Sequence, residues 1–321
     1  MKSILKRVPI PMAGLALGLA ALGNLLQNVS ESMRMFCGLL SFCIWLLVLI
    51  KIALFPQQVR RDLNSPIIAS VSATLFMTGM QLAVYAKSVI GPAAMILWLA
   101  AVAGHLLFIF WFSRKFMRRF SLRNVYPTFF IAYVGIVVAA VTAPQFGMER
   151  LGTLLFWYGC AAYLVMFILI TLRYIKHPIP LAARPLFCIY SAPMSLCLSG
   201  YLMSADHHSP MLLLFMGAAA QVLFFAVLCR LPRLLRLPFY PSYAAFTFPF
   251  VITAFGLREL LSWCAAAGYA VPQAAYLLLA FEMLLATALV FYTLVRYLRH
   301  LACGLQDDPA LLFDECRWCC T

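Results

Sequence analysis

Apolar stretches of about twenty residues, nearly free of charge, follow one another along the whole chain, and this pattern leaves few folds open. A helix needs about 20 apolar residues to cross the ~30 Å hydrocarbon core of a bilayer. Ten such segments can be marked, near 9–28, 33–54, 66–86, 93–112, 127–143, 153–172, 185–203, 210–229, 241–259 and 273–297. A soluble domain carries about 25% charged residues. Here 11% are charged and 65% hydrophobic among 321 residues, more apolar surface than one aqueous core can hide. The sequence therefore predicts an all-α integral membrane protein with ten transmembrane helices. The opening MKSILKR and its apolar run also resemble a signal peptide, but the same run is the first of a repeated set and is counted as a span.

The cations fix the expected orientation. Of 24 lysines and arginines, 20 lie at the N-terminus, in the even-numbered connections or after the last helix. The other side holds four: Arg34, Lys87, Arg150 and Arg258. Cytoplasmic loops carry the excess of Lys and Arg, so both termini are expected inside the plasma membrane (the inner membrane of a bacterium). The net charge of +14 is then a topology signal facing anionic lipid head groups, and no nucleic-acid partner is expected. The eleven cysteines, mostly scattered in or beside apolar runs, read as free thiols.

Prolines open the odd-numbered helices at Pro9, Pro66, Pro127, Pro185 and Pro241, at intervals of 57, 61, 58 and 56 residues. Each unit is one helical hairpin. Interior prolines (Pro193, Pro249) and most polar breaks sit on odd helices, whereas even helices are regular, bulky and marked by small-residue patches such as Ala100–Gly104 and Gly217–Ala220. Small residues let membrane helices approach closely, and irregular backbone at membrane depth is tolerated only inside protein or along a water-filled cavity. The expectation is a quasi-fivefold ring of five hairpins, with odd helices inside around a central pore and even helices outside. Residues 1–300 then form one transmembrane domain, with 301–321 a short cytoplasmic tail.

Counting seven residues from each opening proline gives Ala16, Ala73, Val134, Ala192 and Phe248. Four small side chains would line an open bore, and the single phenyl would fill it. The next position gives Leu17, Thr74, Gly135, Pro193 and Pro249, of which Gly135, Pro193 and Pro249 are expected to kink the inner helices at one depth. A hydrophobic constriction is a known way to close a pore. Phe248 is thus the candidate gate, with ordinary packing as its alternative.

GLALGLAAL (Gly14 to Leu22) and FTFPFVITA (Phe246 to Ala254) resemble the tellurite-resistance/dicarboxylate transporter family, the group of bacterial TehA-type proteins and plant guard-cell slow-type anion channels. The likeness extends over residues 1 to about 300. It implies a homotrimer whose subunits each carry an anion pore closed by a ninth-helix phenylalanine, a role that falls on Phe248. It also implies small inorganic or organic anions as cargo: chloride and nitrate in channels, malate or sulfite in carriers.

No acidic residue lies in the middle of an odd helix, which argues against a cation pathway lined by acidic rings. Arg258, ending the ninth helix beside Glu259, could draw anions to the outer mouth, or simply form an interfacial ion pair. Glu282 sits well inside the tenth helix, where a charge is expensive; it is the candidate intramembrane proton site, with a hydrogen bond between hairpins or subunits as the alternative. His105, in the middle of the fourth helix, reads as a packing residue. No metal site or cofactor is expected, because Asp206-His207-His208 lacks a second ligand cluster and the CRWCC tail lacks a second pair. Three functions are open to such a chain: a passive anion channel; a secondary carrier, proton-coupled in one version, for dicarboxylate, sulfite or tellurite-type oxyanions; and a membrane enzyme. The last is not expected, since no H-E-x-x-H, nucleophile elbow or intramembrane acid pair is present.

Overall fold

The computed structural model describes residues 2–118 and 120–303; the cysteine-rich tail lies outside them. Every regular element among the described residues is helical. The helices that matter below are α1 (Met12–Leu26), α2 (Glu31–Leu54), α3 (Pro66–Val71), α4 (Thr74–Ile90), α5 (Ala94–Phe112) and α6 (Thr128–Tyr133). They continue with α7 (Val138–Thr142), α8 (Glu149–Lys176), α9 (Ala192–Ser204), α10 (Pro210–Leu228), α11 (Phe248–Ala266) and α12 (Gln273–Cys303).

Among the described residues seven helical runs are long and apolar enough to cross a membrane, and α1 and the run Gly135–Phe146 are shorter apolar helices. One run, Pro66–Met117, has 52 residues, far more than the ~20 that one crossing needs. It turns at Gly91, whose φ of 55° ends α4 in a conformation that only glycine adopts freely.

Burial separates two kinds of helix. In the runs 181–204 and 241–266, 83% and 72% of the most apolar window is buried, against 33% for α2, α8 and α10 and 22% for the last helix. Nearly all of α1 is buried as well. The exposed faces of α2, α5, α8, α10 and α12 carry large apolar side chains such as Phe42, Phe110, Ile168, Phe215 and Leu284, the surface a bilayer would cover.

The buried segments pack on one another: α1 on α4, α3 on α6, α4 on α7, α7 on α9, α9 on α11, and α11 back on α1. Hydrogen bonds between them recur at the proline interval. Asn24 Nδ2 donates to Gln81 Oε1 at 2.7 Å, Ser70 Oγ to Thr128 Oγ1 at 2.7 Å, and Ser195 Oγ to Thr253 Oγ1 at 3.3 Å, across 57, 58 and 58 residues. Two more span 233 residues, from Thr247 Oγ1 to the Gly14 carbonyl (3.1 Å) and from Arg258 Nη1 to the Leu25 carbonyl (2.7 Å). In these bonds buried hydroxyls and amides satisfy one another or backbone carbonyls, as a low-dielectric interior favours.

The expected interior kinks take a particular form. Pro193 and Pro249 do not bend continuous α-helices. They stand in the first turns of α9 and α11, where a missing N–H costs nothing and a fixed φ suits the helix. The chain before each is a 3₁₀ segment, Leu181–Ser191 and Pro241–Phe246. The break ahead of α11 falls on Thr247 (φ −104°, ψ −93°). Gly135 opens a 3₁₀ turn, Gly135–Val137, between α6 and α7. The second repeat breaks between α3 and α4 without proline or glycine; there Ser72 and Thr74 hydroxyls bond the Ile68 and Val71 carbonyls instead.

Candidate functional site

The buried segments enclose a cavity of about 60 Å³ towards their N-terminal ends. The eighth residue after every opening proline lines it: Leu17, Thr74, Gly135, Pro193 and Pro249. Val134, Ala192 and Phe248, at the seventh position, line it too. Ala16 and Ala73, expected at the same level, do not. Ala16 is fully buried, its backbone carbonyl accepting the Ser41 hydroxyl of α2 at 2.7 Å, and Ala73 is fully buried at the N-cap of α4. In the first two repeats the lining therefore moves one residue on, to Leu17 and Thr74.

Phe248 is the first residue of α11 and is 7% exposed. Its backbone is brought close to α1 by Gly18: a methyl group there would come within 2.5 Å of Thr247 Cβ and 3.1 Å of the Phe248 nitrogen. We expect Gly18→Ala to cost about 1–3 kcal/mol, the usual penalty for overpacking, seen as a lowered unfolding temperature of the purified protein. An unchanged melt would mean that α1 and α11 separate freely.

The cavity wall carries no acidic or basic side chain. Helices α4, α9 and α11 all begin at lining residues, namely Thr74, Ala192 and Phe248. A helix N-terminus carries a partial positive charge, although first-turn N–H groups of α4 and α11 are here already bonded to backbone carbonyls.

A second cavity, of about 130 Å³, lies towards the C-terminal ends of the same segments. Counting eighteen residues from each proline gives Gln27, Val84, Gln145, Met203 and Glu259, and all five line it. Asn24, Gln81, Thr142 and Arg258 add polar groups. This tier was not anticipated, although the proline count that picked out Phe248 would have found it. Arg258 does reach the cavity, but its Nε and Nη2 donate to Glu259 Oε1 at 2.9 and 2.7 Å and its guanidinium stacks over Phe255 at 4.7 Å. The two cavities share no residue; Phe248 lines the first, and Val251 and Ile252, one turn along α11, line the second.

The remaining candidates lie elsewhere. Glu282 on α12 is 1% exposed beside Gln221 of α10, and neither of its carboxyl oxygens has a hydrogen bond of good geometry. It lines neither cavity. His105 is fully buried, with Nε2 3.1 Å from the Ala132 carbonyl oxygen and its ring near Phe76 and Phe108. In the Asp206-His207-His208 loop, His208 Nε2 sits 3.1 Å from the Tyr201 carbonyl oxygen and the Tyr201 hydroxyl donates to the His207 carbonyl, bonds that shape a turn. No group of three metal-ligating side chains occurs among the described residues.

A multi-pass helical membrane protein with cavities at both ends of its buried, interrupted helices is built as a channel or transporter. The chain matches the voltage-dependent anion channel family, SLAC1, over residues 7–301 and belongs to it, in agreement with the family its ninth-helix motif resembles. It is accordingly an anion channel or transporter of the membrane. Among curated proteins none matches the chain.

Proposed function

We propose that this protein passes small anions through a pore enclosed by the odd-numbered helices of ten spans, arranged as five hairpins in a quasi-fivefold ring, and that Phe248 closes that pore. The observation that carries the reading is that Phe248 lines the first cavity, to which all five repeats contribute, while Val251 and Ile252 one turn further along α11 line the second. The order of inner packing, with hydrogen bonds across 233 residues joining the fifth repeat to the first, supports closure of the ring. The absence of charged lining in the first cavity supports a permeant that is held weakly enough to leave. Arg258, paired to Glu259, offers only a partly cancelled attraction at the outer mouth. The domain is 1–300, both termini are cytoplasmic, and the assembly is a homotrimer in the plasma membrane, the last two points resting on the cation count and on the family. The test is a planar-bilayer recording of purified protein under a salt gradient. A reversal potential near that of the anion supports the reading, and one near that of the cation rejects it.

The carrier reading keeps one observation on its side, the buried acid Glu282 beside Gln221. Glu282→Gln separates the two: a channel keeps its anion current within about twofold, because the residue lines neither cavity. A proton-driven carrier using this acid loses concentrative uptake into proteoliposomes under a pH gradient.

A further inference from the structure

We infer that the Gln81 side-chain amide is an anion-coordinating subsite of the outer cavity, oriented by a hydrogen-bond relay that starts at Arg34. The inference rests on the reading of the inner helices as an anion pathway.

Arg34 is held in place by Glu31 (Nη1 to Oε1, 2.7 Å) and by the Tyr85 ring, 4.9 Å from its guanidinium carbon. Tyr85 is itself tied to the Ala20 carbonyl at 2.7 Å. A guanidinium only donates. Its Nε reaches Asn24 Oδ1 at 3.4 Å, so the Asn24 carbonyl faces the cation and its amide nitrogen must face the other way. That nitrogen donates to Gln81 Oε1 at 2.7 Å. The acceptor end of Gln81 is therefore spent. Its NH₂ group has no hydrogen-bond acceptor among the described residues, although the side chain is only 4% exposed and lines the cavity.

Arg258 and Thr142 are already engaged, and the Gln27 and Gln145 amides, which also line the cavity, are exposed. Arg258 gives Nε and Nη2 to Glu259 and Nη1 to the Leu25 carbonyl. Thr142 Oγ1 accepts from Trp98 Nε1 and donates to the Val138 carbonyl, both at 2.8 Å. Gln81 thus presents to the cavity a donor pair with no acceptor among the described residues. A small anion supplies the missing lone pairs. A neutral amide, polarised through the relay, holds it loosely enough for passage.

The test uses Phe248→Ala protein in planar bilayers, with chloride and nitrate as probes and bi-ionic reversal potentials as readout. Gln81→Leu, close in size but without a donor, should shift the nitrate-to-chloride permeability ratio roughly threefold. Gln81→Glu, an acceptor only, should cut anion current about tenfold or more. Asn24→Leu leaves Gln81 in place but removes its orienting donor, and should shift the ratio in the direction of Gln81→Leu by a smaller factor; it also serves if a Gln81 variant does not fold. A ratio unmoved by all three, with Phe248→Ala still passing anions, overturns the subsite and leaves the pore standing. Failure of Phe248→Ala to pass anions overturns the pathway itself, and the subsite with it.

Discussion

Phe248→Ala is expected to raise anion current through the purified protein by tenfold or more, which corresponds to lowering the barrier by at least about 1.4 kcal/mol. The ring stands at the start of α11, lines the inner cavity and is followed within one turn by the lining of the outer one. On the proposed reading, removing it takes an apolar group out of a constriction that excludes hydrated ions. Folding is the necessary control. A Phe→Ala change in a packed core costs about 3–5 kcal/mol, and Phe248 already borders a cavity, so the loss should fall at the lower end of that range. Size-exclusion behaviour and melting temperature check it. A well-folded variant with no added current would return Phe248 to the status of packing.

The second large effect comes from moving the ring. Ala192 occupies in the fourth repeat the place that Phe248 occupies in the fifth: seventh after the opening proline, first residue of its helix, and lining the same cavity. In the Phe248→Ala protein, Ala192→Phe should therefore close the pore again and reduce the current by about tenfold. Ala16→Phe should not act this way. Ala16 is fully buried, does not line the cavity and lies against α2, so the extra volume meets packed protein and should cost about 1–3 kcal/mol or more in stability. Bilayer recording paired with thermal unfolding of both double variants separates closure from misfolding. Equal behaviour of the two would mean that repeat position does not determine access to the pathway.

Much of this was legible from proline spacing and residue size. The opening prolines set a count that leads to Phe248, to Val134 and Ala192, and to breaks at Gly135, Pro193 and before Pro249. The helical phase of the first two repeats was not legible. Alpha-helix α1 is unbroken, so helical phase decides which residue at each level faces the cavity, and Leu17 rather than Ala16 lines it. The break before α4 is made by serine and threonine hydroxyls, which look in sequence like ordinary polar positions. Pro249 read as a kink because a proline inside a long apolar run suggests a bend; only the backbone at Thr247 reveals that a new helix starts there. Gln81 read only as one polar break of an odd helix, and Asn24 carried no signal of its own. Their pairing joins helices 57 residues apart, which local pattern does not display. The neighbourhood of Glu282 and Gln221 was hidden for the same reason, since α10 and α12 are separated in sequence by the whole of α11.

The most direct measurement is an experimental structure of Phe248→Ala in lipid nanodiscs beside the unaltered protein. The two cavities should join into one continuous tunnel through the centre of the subunit, with α1, α4, α7, α9 and α11 unmoved. A passage still blocked at another level, or a Phe248 ring that faces lipid in the unaltered protein, would contradict the pore and its gate.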